Sequence, residues 1–166
     1  APVVAPSLSV GLPHDDAIRL MLARVLVAPD FIYRLEAAPQ SAASTPVNEQ
    51  ELAVRLSYFL WSSAPDAELR QLADAGKLHD PAVLKAQARR MLKDEKIRRL
   101  ATEFACQWLQ VYEFDKLDEK SERHFPEFRE LRGDMYEEVI QYFTLLFRRD
   151  YSIRSIYSSD HTVVNA

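Results

Sequence analysis

Residues 48–81 read NEQELAVRLSYFLWSSAPDAELRQLADAGKLHDP, and this stretch decides the fold. Asn48 followed by Glu51 has the spacing of a reciprocal N-terminal cap, and Leu52, Ala53, Leu56, Phe59 and Leu60 then form one apolar stripe. The spacing predicts a helix over 49–62 that ends at Trp61 and a Ser-Ser-Ala-Pro turn. Ser63 and Asp66 flank Pro65 as the start of a second helix. That helix carries Leu69, Leu72 and Ala73 and stops at Gly76, a residue suited to a left-handed C-terminal cap. Asp80-Pro81 opens a third, because proline at the first helical position gives up an amide that has no intrahelical partner anyway.

The helical pattern continues toward the C-terminus. Leu84, Ala88, Met91 and Leu92 give the third helix its apolar face. Asp94 is placed to cap a longer helix over 95–111, in which Ile97, Leu100, Ala101, Phe104, Trp108 and Leu109 follow three-and-four spacing. Residues 113–125 are polar and of mixed charge. Pro126 then starts the longest pattern, 127–149, with Leu131, Met135, Val139, Tyr142, Phe143, Leu146 and Phe147 along one face, and Gly133 costing about 1 kcal/mol relative to alanine. Asp150 is placed to cap a short last helix carrying Ile153 and Ile156. Toward the N-terminus, residues 37–47 read as a linker. Residues 14–36 read as a helical segment with Ile18, Met21, Leu22, Val25 and Leu26 in register, opened by Asp15 or Asp16 and interrupted at Pro29, after which Phe31, Ile32 and Leu35 add apolar surface. Residues 1–13, with Pro2, Pro6 and Pro13, read as an extended tail.

Composition agrees with an all-α fold. Three glycines against nine prolines in 166 residues leave little of the turn chemistry that strands need. A chain of this length buries about 70% of its unfolded surface and needs no staple to fold. The expected architecture is an irregular bundle of about six or seven helices, with those near 49–62, 95–111 and 127–149 at its centre. A net charge of −4 gives no global field favouring nucleic acid or anionic lipid, and no apolar run approaches the ~20 residues that span a bilayer. The single cysteine, Cys106, excludes an internal disulfide and a CxxCH haem attachment within these residues.

Several constellations carry chemistry in principle. His14, His79, His124 and His161 fall in loops or at helix ends, without the HExxH or Glu-x-x-His spacing of zinc proteases and di-iron bundles, so no metal ligand is assigned. Asp134, Glu137 and Glu138 with Gln141 place acids on neighbouring turns of the longest helix, off its apolar stripe, where a solvated face is the simpler reading. Trp61, Trp108, Phe59, Phe104 and Tyr58 have the ring area to line a sugar or haem pocket, but their spacing beside leucines predicts core. Cys106 has no base within one helical turn, which predicts an inert buried thiol. No GxSxG elbow or Gly-rich phosphate loop exists, and no catalytic residue is assigned. The one basic concentration is Lys85, Arg89, Arg90, Lys93, Lys96, Arg98 and Arg99, a candidate docking surface for an acidic neighbour.

Some words are longer than periodicity demands. Arg55-Leu56-Ser57-Tyr58-Phe59-Leu60-Trp61-Ser62-Ser63, Ala64-Pro65-Asp66, Glu68-Leu69 and Ala75-Gly76-Lys77-Leu78 are followed in order by Asp80-Pro81, Gln87, Arg89-Arg90-Met91-Leu92, Phe104-Ala105, Gln107-Trp108-Leu109, Phe125-Pro126-Glu127-Phe128 and Val164-Asn165. Over about residues 49–166 the chain resembles a planctomycete-type domain family of unknown function, found in large secreted proteins that often carry cytochrome c modules. Leu26 to Glu36 resembles the end of the smaller domain that precedes it there. Cys106 departs from the pattern, which has a small residue such as glycine at that point. The resemblance implies an extracytoplasmic setting, with neighbouring domains of the same polypeptide, including haem-bearing cytochrome c modules, as partners and no cofactor in this chain. It also implies that the domain 48–166 runs on past Ala166 into a helix containing His and Tyr. It supplies no catalytic residue. The function expected is a non-catalytic helical scaffold or docking module; the alternative is an oxidoreductase domain holding haem or metal non-covalently between helices.

Overall fold

The structure, a computed structural model, describes residues 11, 13–33, 36, 46–118, 120, 121 and 123–163. Most of the expected tail 1–13, residues 37–45 of the expected linker, Leu35 and Val164-Asn165 lie outside the described residues. The described residues are all-α, as the composition predicts, and form eight helices with no strand among them. The chain divides into two compact units, Ala1–Pro46 and Val47–Ala166.

In the first unit, α1 spans His14–Leu26 and α2 spans Pro29–Ile32. Asp15 and Asp16 lie in the first turn of α1, where they face the positive end of the helix dipole, but Pro13 holds the cap position and no side chain caps the helix. Pro29 restarts the chain as α2, as its missing amide requires. No described residue of these two helices is buried.

The second unit holds α3 to α8. Helix α3 is Glu49–Trp61, and its cap is the predicted one: the Glu51 amide donates to Asn48 Oδ1 at 2.8 Å and the Asn48 amide donates to Glu51 Oε2 at 3.0 Å. Ser62, left-handed at φ 49°, ends it. Helix α4 is Ala67–Asp74, capped by Asp66 rather than Ser63, with Gly76 at φ 65° in the left-handed position past its end. Any residue with a Cβ is strained there. Helix α5 is Pro81–Lys93, capped by Asp80 through the Ala82 amide. Glu49, at the start of α3, reaches across to the loop between α4 and α5 and accepts from the Leu78 amide at 2.7 Å, the His79 amide at 3.3 Å and the His79 ring at 2.8 Å. This tie leaves Leu78 fully buried.

The run 95–108, here α6, is helical throughout but wound in three ways over four segments: a 3-10 turn Glu95–Ile97, an α turn Arg98–Leu100, a π turn Ala101–Ala105 and an α turn Cys106–Trp108. A π turn inserts one residue into the helix, so everything after it is rotated by about 100° relative to a 3.6-residue pattern. The expected stripe through Phe104 and Trp108 is thereby corrected. Ala105 and Cys106 turn inward with 0% exposure, while Phe104 and Trp108 turn outward at 51% and 46%. Phe59 is also exposed, because the buried face of α3 runs through Ala53, Ser57, Leu60 and Trp61.

Helix α7, Phe128–Arg148, is the longest, but only Ile140, Phe143 and Leu146 on it are buried, and Leu131 and Met135 are exposed. Asp150 does not cap the last helix. It takes a left-handed conformation at φ 52° that ends α7, and α8, Ser155–Ser158, follows. Two apolar clusters result. Trp61, Leu69, Leu78, Met91 and Ile97 centre the first, and Ala101, Ala105, Cys106, Ile140 and Phe143 make the second, with Phe147 packed against both.

Candidate docking surface

The expected core role of Trp61 is correct, and the residue is also an electrostatic hub. Its ring is 1% exposed at the end of α3, and its indole N–H donates to the Met91 carbonyl of α5 at 3.0 Å. Its own carbonyl accepts from Arg99 Nη1 of α6 at 3.1 Å. Lys96 Nζ lies 4.5 Å and Arg90 Cζ 5.6 Å from the ring, both within cation–π reach. One side chain thus joins three helices by dispersion, hydrogen bonding and charge.

Beside it, Asp66 both caps α4 through the Leu69 amide and receives the Arg90 guanidinium in a two-pronged contact at 2.8 and 3.2 Å. Arg90 Nε donates to Gln87 Oε1 at 2.8 Å, and Gln87 Nε2 donates to Glu68 Oε1 at 2.8 Å. Burial pushes the Asp66 carboxyl upward, but the hydrogen bonds from Arg90 and the Leu69 amide outweigh it and leave the group below its ordinary range. Glu137 is lowered too, first by the Arg98 hydrogen bonds. A carboxyl whose folded value is depressed contributes stability that is complete above its unfolded value, near ~4, and is lost as pH falls through the folded value. The melting temperature is therefore expected to hold as pH drops toward about 5 and to fall below about 4. An Asp66→Asn variant should show a shallower acid-side decline, measured by circular dichroism at constant ionic strength. Equal slopes would remove Asp66 from the account.

The structure disperses the seven basic residues of the candidate surface. Arg90 points into the Asp66 and Glu68 network. Arg98 grips Glu137 of α7 at 2.6 and 2.5 Å, and Arg89 lies 3.9 Å from Asp150. Lys85 and Lys93 are exposed with no ionic partner among the described residues. Lys96 and Arg99 converge at the edge of Trp61. The acids of α7 are similarly committed, since Glu137 also accepts from Gln141 and Glu138 accepts from Thr162. Among the described residues no three His, Cys, Asp or Glu side chains gather as a metal-binding group.

Cys106 is fully buried on α6, where burial pushes its thiol up against the weaker opposing effect of a hydrogen bond with the Tyr136 hydroxyl. The thiolate is the reactive form, so native protein is expected to resist iodoacetamide at pH 7.5 and to react stoichiometrically once unfolded in urea. Rapid native alkylation, read by mass spectrometry, would contradict this.

The residues that sequence missed lie around α8. Phe104 and Trp108 stand with nearly parallel rings, 6.3 Å between centroids, and Tyr157 meets Trp108 edge-on at 6.5 Å. All three are exposed, which makes an aromatic ledge on the surface. Tyr157 sits in a helix too short to show periodicity, and only the outward turn of Trp108 brings the two together. Nearby, a hollow of about 230 Å³ is lined by Tyr142, Tyr151, Ser155, Ser159 and His161. Ser159 Oγ and Asp160 Oδ1 both approach His161, at 3.3 and 3.1 Å, but both address the same nitrogen, Nδ1. A catalytic relay needs one partner on each ring nitrogen, so this trio is not a nucleophile triad.

A family model described as PSD4, protein of unknown function (DUF1592), matches residues 47–166. The chain belongs to this family. No curated protein and no solved structure matches the chain. Within this DUF1592 member the matched residues include Trp61, Asp66, Gln87 and Arg90 together with the aromatic ledge. The first four hold helices to one another, and the ledge joins α6 to α8 with all three rings left exposed.

Proposed function

We propose that this chain is a non-catalytic helical docking module of a larger polypeptide. The observation that carries the reading is the ledge of Phe104, Trp108 and Tyr157, exposed at 51%, 46% and 79% and in ring contact with one another, whereas the unit's other tryptophan, Trp61, is fully enclosed. Trp and Tyr are the residues that most often dominate protein interfaces, because they bring large rigid contact area at small entropic cost. The polar side chains of highest connectivity, Asp66, Arg90 and Gln87, are engaged in holding α3, α4 and α5 together, which supports architecture rather than turnover.

The resemblance of residues 49–166 to planctomycete-type secreted domains supports the finer reading. In it, the partners are neighbouring domains of the same polypeptide, cytochrome c modules among them, the setting is extracytoplasmic, and haem belongs to those neighbours. Residues 14–36 then close a small preceding domain. Among the described residues no helix is long and apolar enough to cross a membrane.

An ultraviolet–visible spectrum with metal analysis on the purified chain, before and after adding haem, tests the reading. A protein-only spectrum without stoichiometric metal is expected. A Soret band from bound haem would overturn it in favour of an oxidoreductase domain and would direct attention to the hollow beside His161. That hollow, at about 230 Å³, is below the ~300 Å³ at which small-molecule sites generally begin.

A further inference from the structure

Internal pairing withdraws Arg89, Arg90 and Arg98 of the basic stretch from any external role; of the four cations left, Lys85 and Lys93 lie on α5, and Lys96 and Arg99 come together on one groove. Arg90 is held by Asp66 and Glu68, and Arg98 by Glu137. Lys96 and Arg99 have no carboxylate within ion-pair contact among the described residues, and both line one open groove of about 510 Å³. The groove runs between the end of α3 and the first turns of α6, with Ser62, Thr102, Glu95, Glu103 and the Glu137-paired Arg98 as its other walls.

The two cations are held in place before any partner arrives. Lys96 is laid over the Trp61 ring, and Arg99 is fixed through one nitrogen, Nη1, on the Trp61 carbonyl, so its other guanidinium nitrogens remain for an external acceptor. Pre-positioned donors lose little rotamer entropy on binding, which raises the return from a charge-assisted contact. Ser62, left-handed and exposed at the end of α3, adds a hydroxyl at the same edge. Glu95 and Glu103 flank the groove with negative charge. A polyanion such as a nucleic-acid strand, carrying a phosphate at every step, meets repulsion there, whereas a single carboxylate flanked by basic groups meets complementary charge on both sides.

We infer that this groove receives an acidic side chain of a partner protein segment, one carboxylate between Lys96 and Arg99, with basic neighbours of that side chain facing Glu95 and Glu103. The inference rests on the docking reading and names the chemistry of one contact within it.

The test is a proton–nitrogen correlation titration of the 166-residue chain at low salt. The probe is a heptapeptide carrying one glutamate between two lysines. Its glutamine counterpart and inorganic phosphate are titrated in parallel. The acidic peptide is expected to shift the signals of Ser62, Lys96, Arg99 and Thr102 in a saturable way. A Lys96→Met/Arg99→Gln variant should weaken that response at least tenfold, and Lys85→Gln/Lys93→Gln should leave it unchanged. Methionine keeps an apolar stem over Trp61; if the double variant does not fold, Arg99→Gln alone is required to give the weakening. Equal response to the glutamine peptide, a scattered response, or none overturns the inference. So does an equal response to phosphate, which would mark a site for free oxyanions instead. Each of these failures leaves the spectrum of the chain with haem unaffected, so this contact and the non-catalytic reading fail separately.

Discussion

Replacing Trp61 with alanine is expected to lower the free energy of unfolding by about 3–5 kcal/mol, the range for deleting a large buried aromatic. Domains have only about 5–15 kcal/mol in total, so the variant should be largely unfolded well below the melting temperature of the parent. The ring packs in the cluster with Leu69, Leu78, Met91 and Ile97, all of them fully buried, and a cavity at that point cannot be refilled by backbone movement without breaking the caps on both sides. Truncation also strips the support from Lys96 and Arg90, which lie over the ring. Trp61→Phe separates the contributions. It keeps an aromatic body but loses the N–H donated to Met91, and should cost about 1–3 kcal/mol through the lost hydrogen bond and the smaller ring. Urea denaturation followed by circular dichroism measures both, and a loss below 1 kcal/mol for the alanine variant would refute the hub.

Arg90→Met is expected to cost about 2 kcal/mol, the lower part of the range for hydrogen bonds to charged groups, because the Arg90 and Asp66 side chains are 31% and 27% exposed and water screens them in part. Methionine keeps an unbranched apolar side chain, so the change removes the guanidinium with its ion pair and its place over the Trp61 ring. Without it Asp66 still caps α4 but carries an uncompensated charge, and Gln87 loses the donor to its carbonyl oxygen. A double-mutant cycle with Asp66→Asn should return a coupling of about 1 kcal/mol or more. Additive effects would show that α4 and α5 are held by their apolar faces alone.

The two halves of the second unit differ in how legible they were. From Asn48 to Asp94 each helix start is written locally: a capping box at Asn48 and Glu51, aspartates at 66 and 80, and a proline at 81. Those signals act within four residues, so spacing alone finds them. Contacts such as Asp66 with Arg90 or Glu49 with the loop at Leu78 depend on how helices pack, and no local pattern announces them.

The stretch 95–108 misleads for a different reason. A 3.6-residue template assigns Phe104 and Trp108 to the interior with Ala101, whereas the π turn turns both rings out and puts Ala105 beside Ala101 and the expected buried Cys106. The small side chains at 101, 105 and 106 were the available hint, since close packing against Phe143 on α7 leaves little room for rings. The basic residues form one concentration along the sequence, but sequence cannot tell a cation that is already paired from one that is not. That distinction reduces seven candidates to four, and the shared groove singles out Lys96 and Arg99 among them.

The opposite placement of the two tryptophans gives the molecule a built-in optical readout. Trp61, dry and enclosed, reports on whether the interior is intact, and its emission should move to longer wavelength only when the chain unfolds. Trp108, wet and stacked on Phe104, is open to a dissolved quencher such as iodide and should become shielded when anything settles on the ledge. A single fluorescence cuvette therefore follows folding and surface occupancy as two separable signals, with no dye attached.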